Sequence, residues 1–434
     1  MLRRLIALFC VLLLSLSVVS PAHADGRRHH PRPVVFVHGF SGSAGQFETQ
    51  ARRLTSNGYP ARYIEGHEYD STFTVTTVQQ VFASLDDRIA RLLDRTGADR
   101  VDLLAHSLGT ALMQSYLRSS PARAATVAHY VNLDGAVSEN QPGDVPTLAV
   151  WGEGPAEREV GGAANVYFAD QSHTQVVTSP ETFARFFEFF NGRAPRTTRI
   201  VPERHISLSG RAVHFPSNVG AAGARLEIYR VDPYTGARTT RRPLAAYDLA
   251  GDGSWGPFKG RGDAHYEFAV VWDESSVHHL YFQPFRRTDR LVRLLTSRPG
   301  EGLSGLVETG DHHSALTISR QKEWWGDQGS AGDALYLNGR QVLNAANAPR
   351  TKRAIGIFAF DAGRDRVTDL GAPIPAFFAT PFITGMDVFV PAGRRPISIV
   401  SQPRGGDGRV DALAVPAWPS SDHRISVQLN DHPN

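Results

Sequence analysis

Cysteine is almost absent from this sequence. Its one cysteine, Cys10, lies in the N-terminal stretch, so the rest of the chain has neither a disulfide nor a thiolate metal site. Stability downstream must come from packing. A charge imbalance is missing too: 46 Lys and Arg face 43 Asp and Glu, for a formal net charge of +3. Arg3 and Arg4 account for part of that excess, and such a balance predicts no nucleic-acid partner. Beyond the first twenty residues or so there is no long apolar run. Hydrophobic residues at 41% and charged residues at 21% fit neither a disordered chain nor a multi-span membrane protein. No repeat or long low-complexity tract occurs. What is present is length: 434 residues at roughly 150 per domain predicts two or three units, each able to bury a core.

The first 24 residues place Arg3 and Arg4 before an apolar stretch from Leu5 to Val19, followed by Ala22-His23-Ala24 as a small-x-small cleavage site. This predicts a signal peptide and a secreted, extracellular chain. The apolar stretch is shorter than the roughly 20 residues that span a bilayer, so no stable membrane anchor is expected. Cys10 follows Leu8 and Phe9, not the small residues of a lipid-attachment site.

From Pro33 to about Gly192, β-branched runs alternate with helical periodicity, the pattern of a parallel sheet covered by helices. Six strands are predicted: Pro33 to His38, Ala61 to Glu65, Arg100 to Ala105, Val127 to Leu133, Thr147 to Trp151 and Asn165 to Ala169. Val78, Val81, Phe82, Leu85, Ile89, Leu92 and Leu93 form one apolar helical face. Phe183, Phe186, Phe187 and Phe190 form another, expected to pack against the sheet. Asn191-Gly192-Arg193-Ala194-Pro195 stops that helix. Beyond it, Arg225 to Val231, His265 to Trp272, His279 to Phe285, Ala354 to Phe360 and Met386 to Val390 read as strands between turn clusters. The expected organisation is a leader at 1–24, an α/β domain at 25–195 and an all-β sandwich or barrel at 196–434, with a further split near Pro299-Gly300.

The most informative segment is Arg100 to Ser120. An apolar strand runs into Ala105-His106-Ser107-Leu108-Gly109, and a helical pattern begins at once. A strand, tight turn and helix in that order hold a serine hydroxyl above the sheet as a nucleophile, with small residues two before and two after it where the elements approach. An ordinary helix cap explains Ser107 alone but not this context. A nucleophilic serine needs an imidazole base oriented by a carboxylate. His173, in FADQSHTQVV after the sixth strand, is the candidate base. Asp134, closing the fourth of the six strands in YVNLDG, is the candidate acid, and Glu153 in AVWGEG stays open as its alternative. In VVFVHGFSGS, a glycine after the first strand lets the N–H of Phe40 turn toward the site beside that of Leu108, forming a pair of oxyanion donors. The stretch Gly66 to Thr77 is a candidate lid.

In the second half, Trp324-Trp325, Phe358, Phe360 and Phe377-Phe378 near Phe382 read first as sandwich core. His278-His279 and Asp311-His312-His313 are not expected to hold a metal, because adjacent residues on a strand face opposite ways.

Through HGF at His38, AHSLG around Ser107, LDG at Asp134 and SHT at His173, the first 195 residues resemble the α/β-hydrolase lipases and esterases. The whole plan resembles an archaeal lipase type with a minimal hydrolase core, a short lid and a large C-terminal β-barrel thought to bind lipid. The resemblance implies a minimal six-stranded α/β-hydrolase domain followed by an all-β domain. It supports Asp134 as the acid, and it implies hydrolysis of long-chain carboxylic esters or acylglycerols without metal or cofactor. The partner it implies is a lipid or ester substrate, presented in some cases at a lipid–water interface. Rival readings are a polyester, thioester or amide substrate for the same triad, and a noncatalytic surface-binding protein on a hydrolase scaffold. The sequence leaves the oligomeric state open.

Overall fold

The structure is a computed structural model, and it describes residues 31–431 apart from 406, 407 and 409. The expected signal peptide and Cys10 lie outside the described residues. The first strand after them is β1 (Val34–Val37), all four of whose side chains are buried. The reason is a sheet covered on both sides: Val34 and Phe36 join one apolar cluster, Val35 and Val37 the other.

That sheet holds β1, β2 (Ile64–His67), β3 (Val101–His106), β4 (Val127–Leu133), β5 (Thr147–Trp151) and β6 (Ala164–Tyr167) in the order β2-β1-β3-β4-β5-β6. All its pairings are parallel. The second strand starts three residues later than the sequence predicts, because Ala61–Tyr63 form a single 3-10 turn after Pro60. The sixth is shorter than expected, ending at Tyr167 before a turn.

Helix α1 spans Glu48–Ser56 and α2 spans Val78–Thr96. The start of α2 is a reciprocal cap between Thr77 and Gln80, and it stops at Gly97, whose φ of 69° suits glycine. Helices α3 (Leu108–Ser119), α4 (Pro121–Ala125), α5 (Gln175–Thr178) and α6 (Pro180–Asn191) complete the layers. The phenylalanine stripe of α6 is buried with Phe47, Leu104 and Leu133. Gly192, with φ 64°, ends that helix where the sequence predicts.

The remaining chain is mostly strand: β7 (His205–His214), β8 (Arg225–Val231), β9 (Ala245–Asp248), β10 (Ser254–Arg261), β11 (His265–Asp273), β12 (Ser276–Phe282), β13 (Asp289–Thr296), β14 (Leu316–Ser319), β15 (Ala334–Leu337), β16 (Arg340–Gln341), β17 (Gly356–Phe360), β18 (Ile383–Asp387), β19 (Gly393–Gln402), β20 (Asp411–Ala417) and β21 (His423–Gln428). One helical turn, α7 (Pro375–Phe378), interrupts it. Eight strands form one sheet, β18-β17-β14-β21-β12-β11-β8-β9, which runs unbroken across position 300 because β21 pairs with both β12 and β14. Sheets of three (β10-β7-β13) and four strands (β16-β15-β19-β20) flank it. One apolar core gathers around Leu226, Phe268 and Leu294, another around Ile318, Leu335 and Val427.

The expected strand at His279 to Phe285 lies three residues earlier. Pro284 has no N–H for the ladder, while polar Ser276 and His278 belong to the strand. The strand expected at Met386 to Val390 is likewise displaced, to Ile383–Asp387. From Arg32 on, the chain forms one compact unit, so the contacts described below between its α/β and β-rich halves are internal.

Candidate active site

β3 ends and α3 begins on either side of Ser107, whose φ of 52° and ψ of −124° lie outside the regions open to most side chains. Bonds on both sides hold this turn: the Ser107 N–H donates to the Leu133 carbonyl at 3.0 Å, and the Ser107 carbonyl accepts from the Thr110 N–H at 2.9 Å. Glycine at 109 has a steric cause, since a Cβ there would sit 2.4 Å from the His38 carbonyl oxygen. Gly39 brings the first loop onto Ser107; a Cβ on it would lie 2.9 Å from that of Ser107.

His173 sits in the turn between β6 and α5, with Nε2 3.0 Å from Ser107 Oγ and Nδ1 2.6 Å from Asp134 Oδ2. That pairing suits an Nδ1–H that donates to the carboxylate and an Nε2 that accepts from the hydroxyl. Asp134 follows β4 directly, one strand over from Ser107. Its Oδ1 accepts from the Gly152 N–H at 2.8 Å and from Arg158 Nη1 at 2.9 Å. Burial pushes this carboxyl up, but the His173 hydrogen bond and charge, the Gly152 N–H and Arg158 together outweigh it and hold the group down at about 2. Glu153, the alternative acid, turns away toward the β-rich half, where its Oε2 accepts from Arg350 Nε at 2.9 Å. Arg158 escaped sequence reasoning because nothing in its local pattern marks it.

Phe40 lines the cavity with Ser107, and Leu108 is the first residue of α3. Among the described residues, neither backbone N–H has an acceptor; for Leu108 this is the ordinary state of a helix start. His38 is fully buried and does not line the cavity. Its ring stacks on Tyr69 at 4.3 Å, Asn218 Nδ2 lies 3.3 Å from its Nε2, and its carbonyl accepts from the Tyr69 hydroxyl at 2.7 Å.

Contacts behind the Ser107–His173–Asp134 line fix His173. Gln46 Nε2 donates to His106 Nδ1 at 2.9 Å, and His106 Nε2 donates to the His173 carbonyl at 3.0 Å. Burial drives the His106 pKa well down, so this ring is a neutral strut. From the β-rich half, the fully buried carboxylate of Glu323 accepts from the Thr174 N–H at 2.5 Å, the Gln175 N–H at 3.2 Å and the Ser172 hydroxyl. Arg404 Nη2 reaches Ser172 Oγ at 2.9 Å and Gln175 Oε1 at 2.6 Å. Residues on both sides of His173 are thus anchored on side chains about 150 to 230 positions away. Such partners are invisible to local sequence reading. Glu323→Ala is expected to lower kcat about 100-fold, the effect of a misplacement of about 1 Å, with little change in KM. Steady-state kinetics check this, with an unfolding curve to show that the fold survives and Glu323→Gln as the partial rescue.

A cavity of about 450 Å³ opens on Ser107 and His173 and extends between the α/β layer and the eight-stranded sheet, lined there by Leu280, Phe282, Phe358 and Phe382. Phe382 stacks on the His173 ring at 6.0 Å. Trp324 and Phe377, by contrast, are fully buried in apolar cores. The candidate lid at 66–77 does not line this cavity. Its base is pinned by Glu68 to the Ala44 N–H at 2.9 Å, and its turn by Asp70, which accepts from the N–H groups of Thr72, Thr74 and Val75. The wall there comes from Pro299, Gly300, Leu303 and Val307.

Comparison with known families adds three matches. A model described as lipase (class 2) matches residues 31–136, one described as lipase C-terminal domain matches 204–299, and one described as a C-terminal domain matches 302–433. Among solved structures, lipase B of Aspergillus fumigatus is 12% identical over 39% of this chain and 55% of that one, with a TM-score of 0.32. This chain therefore spans little more than half of that enzyme. A gene product of Listeria innocua is 13% identical over 39% of this chain and 97% of its own, with a TM-score of 0.30. A structure titled for LipS and LipT, two metagenome-derived lipolytic enzymes, is 12% identical over 38% and 94%, with a TM-score of 0.30.

Proposed function

We propose, starting from the chain's membership of the α/β-hydrolase lipases and esterases, that this carboxylic ester hydrolase is a secreted lipase cleaving acylglycerols or other long-chain esters through an acyl-enzyme on Ser107. The observation that carries this reading is the hydrogen-bonded line from Ser107 Oγ to His173 Nε2 at 3.0 Å and from His173 Nδ1 to Asp134 Oδ2 at 2.6 Å, at the mouth of a largely apolar cavity.

In this mechanism Ser107 Oγ attacks the ester carbonyl carbon while His173 Nε2 takes its proton. The carbonyl oxygen becomes an alkoxide held by the N–H groups of Phe40 and Leu108, each such donor contributing about 2.7–4 kcal/mol in the transition state. Asp134, ionised at neutral pH, stabilises the imidazolium. The C–O bond of the leaving group then breaks, and His173 gives that oxygen the proton. Water, deprotonated by the same imidazole, releases the acid and restores Ser107. The organisation proposed with it is a catalytic region at 25–195 and an all-β region at 196–434 that receives the acyl chain.

The test is a chain-length series of nitrophenyl esters with emulsified triglyceride in parallel. Burial of acyl methylenes at about 0.8 kcal/mol each predicts a rise in kcat/KM of up to about fourfold per methylene until the cavity is filled. Activity on short soluble esters only, with none on the emulsion, removes the lipase reading and leaves a carboxylesterase.

A further inference from the structure

The cavity has a polar far end that the chemistry at Ser107 does not use. Its floor is one face of the eight-stranded sheet, and the register fixes which residues share it. Ser426 stands opposite Leu280 and Thr317, Gln428 opposite Phe282 and Ser319, and Arg424 opposite His278. With a period of two along a strand, Arg424, Ser426 and Gln428 lie on the same side, and all three line the cavity.

The same register tells which end is catalytic. The Phe382 carbonyl accepts from the N–H groups of Ile355 and Gly356, Gly356 pairs with Ser319, and Ser319 pairs with Gln428. Phe382 is also the residue stacked on His173. Gln428 therefore marks the catalytic end, and Arg424, four residues away along β21, lies roughly 13 Å further in at about 3.3 Å per residue.

Arg424 is incompletely partnered. Its Nη1 donates to Ser297 Oγ and its Nη2 to the Ser297 carbonyl, both at 2.8 Å. Both acceptors are uncharged, and no carboxylate pairs with it among the described residues. Burial pulls its pKa down to about 10 with no neighbouring acid to offset the loss. Beside it, His278 is held between Thr296 Oγ1 at 2.9 Å and Ser426 Oγ at 2.7 Å, and burial keeps that ring neutral. A guanidinium facing a cavity, partly desolvated and with no carboxylate paired to it among the described residues, though Asp422 lines the same cavity, is costly unless an anion meets it. The methyl end of a plain fatty acyl chain supplies none.

We propose that Arg424 is a specificity-determining residue that binds an anionic oxygen group, a carboxylate or a phosphate, carried by the ester substrate at a distance of roughly 13 Å from the catalytic end. The proposal deepens the ester-hydrolase reading and rests on it, since it assumes that the reacting ester lies at Ser107.

Two measurements test it. In the first, kcat/KM is compared for nitrophenyl esters of equal length whose far end is a free carboxylate, a phosphate monoester or a neutral methyl ester, using wild type, Arg424→Gln and Arg424→Lys. Wild type is expected to favour one or both anionic ends by about tenfold, the scale of a hydrogen bond to a charged group. Arg424→Gln is expected to lose that preference with its rate on the neutral ester within twofold, and Arg424→Lys to keep part of it. The carboxylate and phosphate arms separate the two sources of anion. In the second, calorimetry measures binding of decyl phosphate and of decanoate, neither of which carries a carboxylic ester to cleave, to wild type and Arg424→Gln, with a loss of about tenfold expected in the variant. Equal rates and equal binding in wild type and Arg424→Gln overturn the proposal. Failure of wild type to cleave the neutral ester strikes at the hydrolase reading instead, and the binding measurement still decides the role of Arg424.

Discussion

Ser107→Ala is expected to lower kcat on nitrophenyl esters by about six orders of magnitude, to the scale seen when a serine nucleophile is removed from a working triad. The size follows from what the side chain does. In the proposed mechanism its oxygen forms the bond to the acyl carbon, and its proton is the one His173 accepts across 3.0 Å. Without it no acyl-enzyme forms, and the N–H groups of Phe40 and Leu108 can only polarise a bound ester toward water, which leaves a residual of about 10³ to 10⁴ over the uncatalysed rate. The fold has little reason to respond. The bonds that lock the turn, from the Ser107 N–H to Leu133 and from Thr110 to the Ser107 carbonyl, belong to the backbone. Alanine also meets the same strained φ of 52° that serine does. Unfolding free energy is expected within about 0.5 kcal/mol of wild type. Pre-steady-state kinetics make the test sharper: wild type gives a burst of nitrophenol equal to the enzyme, and the variant gives none. A burst that survives the substitution assigns the acyl-enzyme to another residue and removes Ser107 from the mechanism.

The parts of this site legible in sequence are those whose causes are local. A glycine at 39 and another at 109 are demanded by contacts of 2.9 and 2.4 Å with the nucleophile turn and the first loop, and both requirements leave a mark in a five-residue window. The parallel strands were readable for a similar reason: burial on both faces forces continuous apolar runs. The strands facing the cavity were harder. β12 carries Ser276 and His278 because one of its faces looks into a polar part of the cavity, so its start reads as a turn. Glu323, Arg404 and Arg158 act entirely across the tertiary structure. Their effect on His173 and Asp134 is set by packing between segments far apart in the chain, for which one sequence holds no periodicity or spacing.

Asp134→Asn and Glu153→Gln form the second decisive pair. The amide introduced by Asp134→Asn keeps the volume of the carboxylate and an acceptor oxygen facing Gly152 and Arg158, but presents an N–H₂ or a weaker acceptor to His173. That favours the wrong imidazole tautomer and removes the charge that stabilises the imidazolium, for an expected loss of about 10⁴ in kcat. Glu153→Gln removes a partly solvated ion pair with Arg350, of the kind that contributes about 0 to 1 kcal/mol, and turnover is expected to stay within a few-fold. A second readout follows from titration. The folded-state pKa of Asp134 is depressed from 3.8 to about 2. Its contribution to stability is therefore present above the ordinary carboxylate value and is lost as pH falls through that window. Asparagine has no such proton, so the unfolding free energy of Asp134→Asn is expected to fall less steeply between about pH 4 and 2 than that of wild type. The opposite pattern, with turnover lost in Glu153→Gln and kept in Asp134→Asn, would assign the acid to Glu153 and require the loop bearing it to leave Arg350 and swing to His173 during the reaction.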